Sequence, residues 1–463
     1  MRFVVLAGIL MVVTTTYGQM NTSLYAAHAQ YMERSVDTRR FKHEDVMRTV
    51  KGLGKEFTVR QAGTSVEGRS IMTVSYGNGP IQVLMWSQMH GDETTATRAM
   101  LDIFNFLQAN DSYNDLRKKM HMAVTWHFIP MLNPDGASRF TRRNSKGIDI
   151  NRDALRLQSP EGRLLKRVRD SVKADWGFNL HDQGRGTSVL GKPATISLLA
   201  PPFNAERAVN ESRGDAMQLT KYLHDQITRF IPGQIGAYPD DFEPRAFGDN
   251  IQKWGTRTIL IESGGFKQDW EKQEIRRLNF VLLLTAVDAI ASGAYEKVPV
   301  DSYFEIPKNG ESRMQELILF NVDYDGVRRD IAFDRRETDS EDFRKYFVRS
   351  FVSDIGDLST SPAYLTFDVS GFEVIPGKVY GTELETVSQL QGLDVDRLLR
   401  EGYTDVVVKQ DVDAFGSSYK INVHKQAPSA VQEIRMGGNP SLLFRKNGTV
   451  KYALINGSMY PLE

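Results

Sequence analysis

Between about residues 43 and 292, short apolar runs alternate with longer segments in which apolar residues recur every three to four positions. The short runs are rich in β-branched and aromatic residues, which is typical of buried strands. They are IQVLMW (81–86), MAVTWHFIPML (122–132), WGFNL (176–180), ATISLLA (194–200) and TRTILI (256–261). The longer segments predict helices at 94–110, 159–174, 213–230 and 272–292. This alternation predicts an α/β fold in which helices connect the strands of one sheet.

The pattern changes near residues 294–302, and the remainder of the chain is strand-like with few helical segments. Close to its end, two Asn-Gly pairs, beginning at Asn447 and Asn456, separate three β-prone runs. Asn-Gly favours two-residue type I′ hairpin turns, because both turn residues have positive φ. We therefore predict a first domain over 19–298 and a smaller, mostly β domain of unknown role over 299–463.

The N-terminal segment has the features of an export signal. Arg2 precedes an apolar run that is short for a bilayer span, and Thr16 and Gly18 are small residues placed for cleavage before Gln19. We therefore predict a signal peptide over 1–18 and a secreted or periplasmic protein. The apolar run over 280–293 contains an aspartate and ends in glycine, which favours a core helix. No membrane span is expected after signal removal.

Charge and cysteine content exclude several classes of function. Lysine plus arginine and aspartate plus glutamate number 58 each, so no basic excess favours nucleic acid or anionic membranes as partners. The chain contains no cysteine, which excludes thiolate nucleophiles, disulfides and cysteine–zinc sites. Together with the predicted export, this favours a bacterial envelope protein.

Polar residues follow four predicted strands at their carboxyl ends. His90 and Glu93 follow the first, His181 follows WGFNL, Glu262 follows TRTILI, and the NPDG motif at 133–136 follows the run over 122–132. Ligands of open α/β sheets bind outside the carboxyl ends of the strands, so we expect these residues to meet. Two imidazoles and one carboxylate form the ligand set of a catalytic zinc with an open fourth position. Glu262 is then left to act as a general base.

The segment FTRRNSKGIDINRD, residues 140–153, adds an anion-binding group. Arg152 arrives at the same edge after alternating apolar and polar residues, and arginine holds a carboxylate through two parallel hydrogen bonds. Asn151 adds neutral hydrogen bonds. A metal, a base and an anion clamp together indicate an enzyme that hydrolyses a bond near a free carboxylate.

The chain resembles the zinc carboxypeptidases of the carboxypeptidase A type, bacterial secreted members in particular. The resemblance rests on five motifs in this order: HGDE, NPDG, RRNSKGIDINRD, NLHD and LIESGG. The upstream segment GTSVEGRSI at 63–71 adds to it. The resemblance covers roughly residues 43–292. It implies an α/β/α sandwich around a mixed, mostly parallel twisted sheet and one zinc ion. It also implies removal of C-terminal residues from peptide substrates with a free carboxylate.

The resemblance implies roles for the residues that match the metal motifs. His90, Glu93 and His181 would be the zinc ligands. Glu262 would be the general base that takes a proton from water. Asp149 would accept the second N–H of a ligating histidine and so fix the orientation of its ring.

The resemblance also assigns the substrate contacts. Asn151 and Arg152 would hold the terminal carboxylate, and Arg142 would polarise the scissile carbonyl, with Arg143 as the adjacent alternative. The tyrosine that closes over the substrate in the family would be Tyr238, although its spacing departs from the family pattern by several residues.

Another departure concerns the substrate pocket, for which an alternative contact is also present. Asp92 lies inside the metal motif where pancreatic members carry arginine, which changes the charge of the neighbouring subsite. Arg245 is an alternative partner for the substrate's carboxylate or side chain. The sequence leaves the preferred C-terminal residue open.

Three functional classes follow. The first is a secreted or periplasmic zinc metallocarboxypeptidase, with cell-wall peptides among its candidate substrates. The alternative is a zinc amidohydrolase or deacylase of the aspartoacylase or succinylglutamate desuccinylase type, which acts on N-acyl amino acids. A binding module on a peptidase-like scaffold is disfavoured, because all three ligands and the base are present.

Overall fold

The computed structural model describes residues 19–410, 419–428 and 433–462. The chain divides into two compact units, Met1–Glu311 and Ser312–Glu463. The predicted signal peptide, residues 1–18, lies outside the described residues. Among the described residues, no helix combines the length and apolar character needed to cross a membrane.

The first unit is built from alternating strands and helices. Its strands are β1 Phe57–Thr64, β2 Ser70–Tyr76, β3 Ile81–Ser87, β4 Val124–Ile129, β5 Trp176–Asp182, β6 Thr187–Val189, β7 Lys192–Pro193, β8 Ile196–Leu199, β9 Ile235–Ala237 and β10 Arg257–Ser263. Its helices are α1 His43–Lys51, α2 Thr95–Gln108, α3 Asn114–Ala123, α4 Pro134–Ser138, α5 Pro160–Val172, α6 Glu211–Ile227, α7 Phe247–Lys253 and α8 Gln273–Ser292. Short 3₁₀ helices lie at His28–Gln30, Arg34–Val36, Ile150–Arg152, Ala294–Lys297 and Val300–Glu305.

Eight strands form one mixed sheet in the order β1-β2-β4-β3-β5-β10-β8-β9. The central strands β4, β3, β5 and β10 are parallel to their neighbours in that series. Strands β1 and β2 on one side, and β8 on the other, introduce antiparallel pairs. The carboxyl ends of β3, β5 and β10 therefore lie side by side.

Both faces of the sheet are covered by helices. Along β3, Val83 and Met85 pack into a core that includes residues of α2, α6 and α8, whereas Leu84 and Trp86 pack into a second core with α5 and α7. Because successive side chains of a strand point to opposite faces, each core covers one face. The predicted α/β/α sandwich is confirmed.

The helix ends follow local sequence signals. Helix α5 begins at Pro160 after Ser159, whose hydroxyl accepts the Gly162 N–H at 3.0 Å. Helix α8 ends at Ser292 and is followed by Gly293, which has a φ of 67°. Glycine adopts this left-handed conformation without strain, so the predicted core helix ends where its sequence indicates.

The first compact unit extends past the boundary at 298/299 that the sequence pattern suggests. The reason is the 3₁₀ helix Val300–Glu305, in which Tyr303 is buried and its hydroxyl accepts the Ala200 N–H. A single buried aromatic residue gives no periodic pattern of apolar positions. The sequence therefore does not indicate that this segment belongs to the first unit. The functional division of the chain stays a prediction.

The second unit is mostly β, as predicted. The strands that begin at the boundary and continue through this unit are β11 Asn309–Arg313, β12 Gln315–Tyr324, β13 Val327–Asp339, β14 Tyr346–Gly356, β15 Ala363–Asp368, β16 Glu373–Pro376, β17 Lys378–Val379, β18 Tyr403–Val407, β19 Asn422–His424, β20 Leu442–Lys446, β21 Thr449–Ile455 and β22 Ser458–Pro461, with helices α9 Val387–Gln391 and α10 Val395–Arg400.

The last three strands, β20 to β22, form an antiparallel meander. Both of its turns use an Asn-Gly pair, and all four residues have φ between 45° and 75°. The two-residue turns predicted from Asn447 and Asn456 are therefore present.

Candidate metal centre and substrate site

The carboxyl ends of three neighbouring strands bring the predicted metal and base residues together. His90 follows β3, and the turn after it places Glu93 just before α2, with the Glu93 N–H donating to the His90 carbonyl at 3.2 Å. His181 lies in β5 and Glu262 in β10, directly opposite each other in the parallel register. Residues far apart in sequence are thus fixed by the sheet itself.

His90, Glu93 and His181 form a compact cluster. The carboxylate of Glu93 lies between the two rings, with one oxygen 2.6 Å from His90 Nδ1 and the other 2.6 Å from His181 Nδ1. The ring centroids are 4.8 Å apart, and one potential ligand atom from each residue lies within 4.8 Å of the others. Both histidines are 2 % exposed.

The donor set of this cluster fits a zinc ion. Two imidazole nitrogens and a carboxylate are the ligands of a catalytic zinc that keeps one position open. His90 Nε2 lies 3.1 Å from Asp149 Oδ1, so the side of the ring away from Glu93 already has an acceptor. A carboxylate in that position orients a ligating imidazole and increases its basicity.

The same residues form a buried electrostatic network. Although burial opposes it, the imidazoles of His181 and His90 hold the pKa of Glu93 well below its usual range. Burial also opposes ionisation of Asp149, but His90 and Arg142 hold the pKa of this carboxyl well below its ordinary value. Both carboxylates are therefore charged at neutral pH and favour a cation among them.

Glu262 has the opposite electrostatic environment. It is 7 % exposed, and burial followed by the nearby charges of Glu93 and Asp182 raises its pKa well above the ordinary value. A carboxyl whose affinity for a proton is increased, placed beside a candidate metal cluster, is suited to accept a proton from water.

The structure places Arg142, and not Arg143, beside the cluster. Arg142 Nε and Nη2 each lie 3.0 Å from Asp149 Oδ2, and its Nη1 lies 3.0 Å from His90 Nδ1 and 3.5 Å from Glu93. Arg143 is exposed and donates to the Gly147 carbonyl. Of these two arginines, only Arg142 therefore contacts the cluster.

Asn151 and Arg152 lie in the 3₁₀ turn after Asp149, whose side chain accepts the Asn151 N–H at 3.0 Å. The Asn151 amide oxygen accepts the Phe247 N–H at 3.0 Å, which connects this turn to α7. Its amide NH₂ is then the group that can donate to a ligand. Arg152 forms an ion pair with Glu243, a contact that the sequence did not indicate.

Tyr238 lies at the site despite its unusual spacing in the sequence. It directly follows β9, and its N–H donates to the Leu198 carbonyl at 2.9 Å. Burial, and then the negative charges of Glu262 and Glu93, raise the pKa of its hydroxyl to about 12. The tyrosine is therefore neutral at pH 7 and can donate a hydrogen bond, and the charges of the cluster influence its pKa.

Asp92 belongs to the same surroundings. Burial, with the adjacent charge of Glu93, raises the pKa of Asp92 to about 6. Its Oδ1 is buried without a hydrogen-bond partner among the described residues. The departure noted in the metal motif thus adds a titratable carboxyl beside the site.

Sequence reasoning missed a buried lysine that joins the two central strands. Lys272 Nζ donates to the Ser263 carbonyl at 2.8 Å and lies 3.2 Å from Asp182 Oδ2, which also accepts the Thr95 hydroxyl. Ser263 follows Glu262, and Asp182 follows His181, so one ammonium group holds the ends of β10 and β5. The only sequence signal was a lysine at a predicted helix start.

We expect Lys272→Met to lower the free energy of unfolding of the first unit by about 3 kcal/mol, because it leaves Asp182 as a buried charge without its cation. The five tryptophans all precede residue 271, so their fluorescence during urea unfolding of metal-free protein reports on this unit. Lys267→Met, at an exposed position, is the control and should change stability little. Equal stability of the two variants would mean that the lysine contacts contribute nothing.

Comparison with known proteins agrees with this geometry. Residues 43–186 match the family model described as zinc carboxypeptidase. The resemblance predicted from the motifs is confirmed. The matched segment contains the candidate ligands and Asn151 and Arg152, and the family is one of zinc-dependent hydrolases. Tyr238 and Glu262 lie beyond it.

Curated relatives are similar over part of the chain. Carboxypeptidase SOL1 of Arabidopsis thaliana is 28% identical over 151 residues, which is 27% of this chain and 31% of the relative. Carboxypeptidase 2 of Trichophyton rubrum is 26% identical over 189 residues, 38% of this chain and 34% of the relative. The chain thus spans about a third of the length of the curated relatives it matches.

Solved structures that are similar to this chain include a metallo-carboxypeptidase from Burkholderia cenocepacia, with 17% identity and a TM-score of 0.45 over 54% of this chain and 69% of that one. Carboxypeptidase A from Helicoverpa armigera matches with 15% identity and a TM-score of 0.44 over 60% of this chain and 81% of that one.

Proposed function

We propose that this protein is a zinc metallocarboxypeptidase that removes C-terminal residues from peptides after export from the cytoplasm. The observation that carries the proposal is the convergence of His90, Glu93 and His181 with Glu262 on the adjacent strand. The family match and the curated relatives, which are named as carboxypeptidases, support it. Peptides of the cell wall are candidate substrates.

In this proposal His90, Glu93 and His181 hold one zinc ion. When bound, zinc lowers the pKa of a water molecule towards about 7 and polarises a carbonyl group. The protein's own contribution is to fix the two imidazoles, since β5 carries His181 and Asp149 contacts the ring of His90.

Substrate binding falls to the neighbouring polar residues. Arg152 and Asn151 hold the free α-carboxylate of the peptide, so that the last amide bond lies over the cluster. Arg142, held by Asp149, donates to the scissile carbonyl oxygen as negative charge develops there. Tyr238 closes over the bound residue and excludes water.

Proton transfer falls to Glu262. Its carboxylate accepts a proton from the attacking water and then donates it to the nitrogen of the leaving amine. The raised pKa of Glu262 suits this transfer, because a more basic carboxylate accepts the proton from water more readily and its acid form keeps that proton until the amine takes it.

The test compares peptides that end in a free acid with the same peptides carrying a C-terminal amide. We expect kcat/KM to be at least about a hundredfold lower for the amides, because each charge-assisted hydrogen bond is worth about 1.5–3 kcal/mol and ~1.4 kcal/mol is a factor of ten. Arg152→Ala should remove most of this preference, whereas Arg142→Ala should slow both substrates alike.

The series also separates the enzyme classes. Equal rates on free and amidated peptides would contradict the carboxypeptidase assignment. Hydrolysis of N-acyl amino acids without trimming of peptides would instead identify a deacylase.

A further inference from the structure

The proposed carboxylate clamp is already paired with a carboxylate of the protein. Glu243 Oε2 lies 3.2 Å from Arg152 Nε. The same oxygen accepts from Arg245 Nη2 at 2.9 Å, and Oε1 accepts from the Arg245 side chain and backbone N–H at 3.0 and 3.1 Å. One carboxylate is therefore shared between two arginines, of which only Arg152 belongs to the predicted clamp.

The position of Glu243 is fixed by the backbone. Its N–H donates to Asp249 Oδ1 at 3.0 Å, and Asp249 is 8 % exposed in the first turn of α7. That helix is also held by Asn151, through the Phe247 N–H. The loop that carries Glu243 and the turn that carries Arg152 are thus tied to the same helix end.

We propose that the carboxylate of Glu243 competes with the substrate's C-terminal carboxylate for Arg152. When the substrate takes the place of Glu243 on Arg152, Glu243 stays paired with Arg245. The inference rests on the proposed function. The exchange keeps every charge paired, because the substrate carboxylate replaces Glu243 on Arg152 while Glu243 keeps its contacts with Arg245. Glu243 and Arg245 are then determinants of substrate affinity, without touching the bond that breaks.

An exchange of this kind has a defined effect on binding. Each free-acid substrate must displace the Glu243–Arg152 contact, whereas a C-terminally amidated peptide leaves it in place. Glu243 therefore reduces the preference for free acids. The side chains of Arg152 and Glu243 are 36% and 29% exposed, so the contact is partly screened and the effect is moderate.

We expect Glu243→Gln to lower KM for free-acid peptides about three- to fivefold with kcat unchanged, and to leave amidated peptides unaffected. Asp241→Asn removes the same charge from an exposed position of the same loop and is the control. Titration calorimetry of the zinc-loaded Glu262→Gln protein, with and without Glu243→Gln, should show the same gain in affinity for a free-acid tripeptide in the absence of turnover.

Arg245→Ala completes the test. In the native background we expect KM for free acids to rise about threefold, because Glu243 then has only Arg152 as a partner. In the Glu243→Gln background the same change should have no effect. An Arg245→Ala effect of equal size in both backgrounds would overturn the proposal, since it would mean that Arg245 binds the substrate directly.

The outcomes separate this inference from the proposed function. A preference for free acids that Glu243→Gln does not increase would overturn the role of Glu243 and leave the carboxypeptidase assignment intact. Absence of any free-acid preference in the native protein and in Glu243→Gln alike would contradict both.

Discussion

Replacing Glu262 with glutamine should reduce kcat by about 10²–10⁴-fold, the range that a positioned general base contributes. Glutamine is close to glutamic acid in shape, but its amide accepts no proton from water and delivers none to the leaving amine. Because Glu262 lies opposite His181 and outside the three-residue cluster, the variant should keep its zinc. Steady-state kinetics on a free-acid peptide and elemental analysis of zinc are the two measurements.

Glu262→Asp is the matched control, since it keeps a carboxylate but shortens the side chain by one methylene group. We expect it to retain more activity than the glutamine variant. The thermal midpoint of Glu262→Gln should match or exceed that of the native protein, because it removes an ionisable group that is buried next to Glu93 and Asp182. Near-native kcat in Glu262→Gln would show that another group moves the proton.

The arrangement of the site was predictable to the extent that it depends on strand ends. His90, His181 and Glu262 each end or follow an apolar run, and parallel strands deliver such residues to one edge of a sheet. The pattern could not give the register, in which His181 and Glu262 are direct neighbours, because strands that are far apart in sequence choose their alignment through the packing of the whole sheet.

The pattern of apolar and polar residues does not predict where side chains point in segments without regular secondary structure. Arg142 and Arg143 are equivalent by composition, and only the turn that follows them, where Asn144 accepts the N–H groups of Lys146 and Ile148, decides which one faces His90. In the same way, spacing gave no reason to connect Glu243 with Arg152, which α7 and its contacts bring together.

Tyr238 illustrates the limit of family spacing as a guide. Its offset from the downstream Asp249 differs from the family pattern, but β9 ends at Ala237 and pairs with β8, so the next residue emerges beside the site. A strand end determines the position of such a residue, and the length of the following loop does not. The resemblance indicates the segment, the sheet places Tyr238 directly after β9, and its role in closing over the substrate stays a prediction.

Removal of one proposed metal ligand should have an effect as large as removal of the proposed base. We expect His181→Ala to weaken zinc binding by more than about a hundredfold, because changes to groups that only support a ligand already cost about 10–100-fold. Two of the three donors would remain, and Glu93 would lose the contact of one oxygen with an imidazole. Competition for zinc against a chromogenic chelator measures the affinity directly, and hydrolysis by the native protein should be lost with excess chelator and restored by added zinc.

Two variants serve as references for this experiment. Asp149→Asn weakens the contact to His90 Nε2, together with the ion pair to Arg142, but leaves the three proposed ligands in place, so it should cost about 10–100-fold in zinc affinity, less than the loss of a ligand. His127→Ala removes a partly buried histidine that contacts Ser75 and Gln82, and it should leave zinc affinity unchanged. Zinc should also raise the thermal midpoint of the native protein and of His127→Ala, since a ligand that binds only the folded state stabilises it. At the same metal concentration, the thermal midpoint of His181→Ala should not change. Native zinc affinity in His181→Ala would contradict the ligand assignment, whatever its effect on hydrolysis.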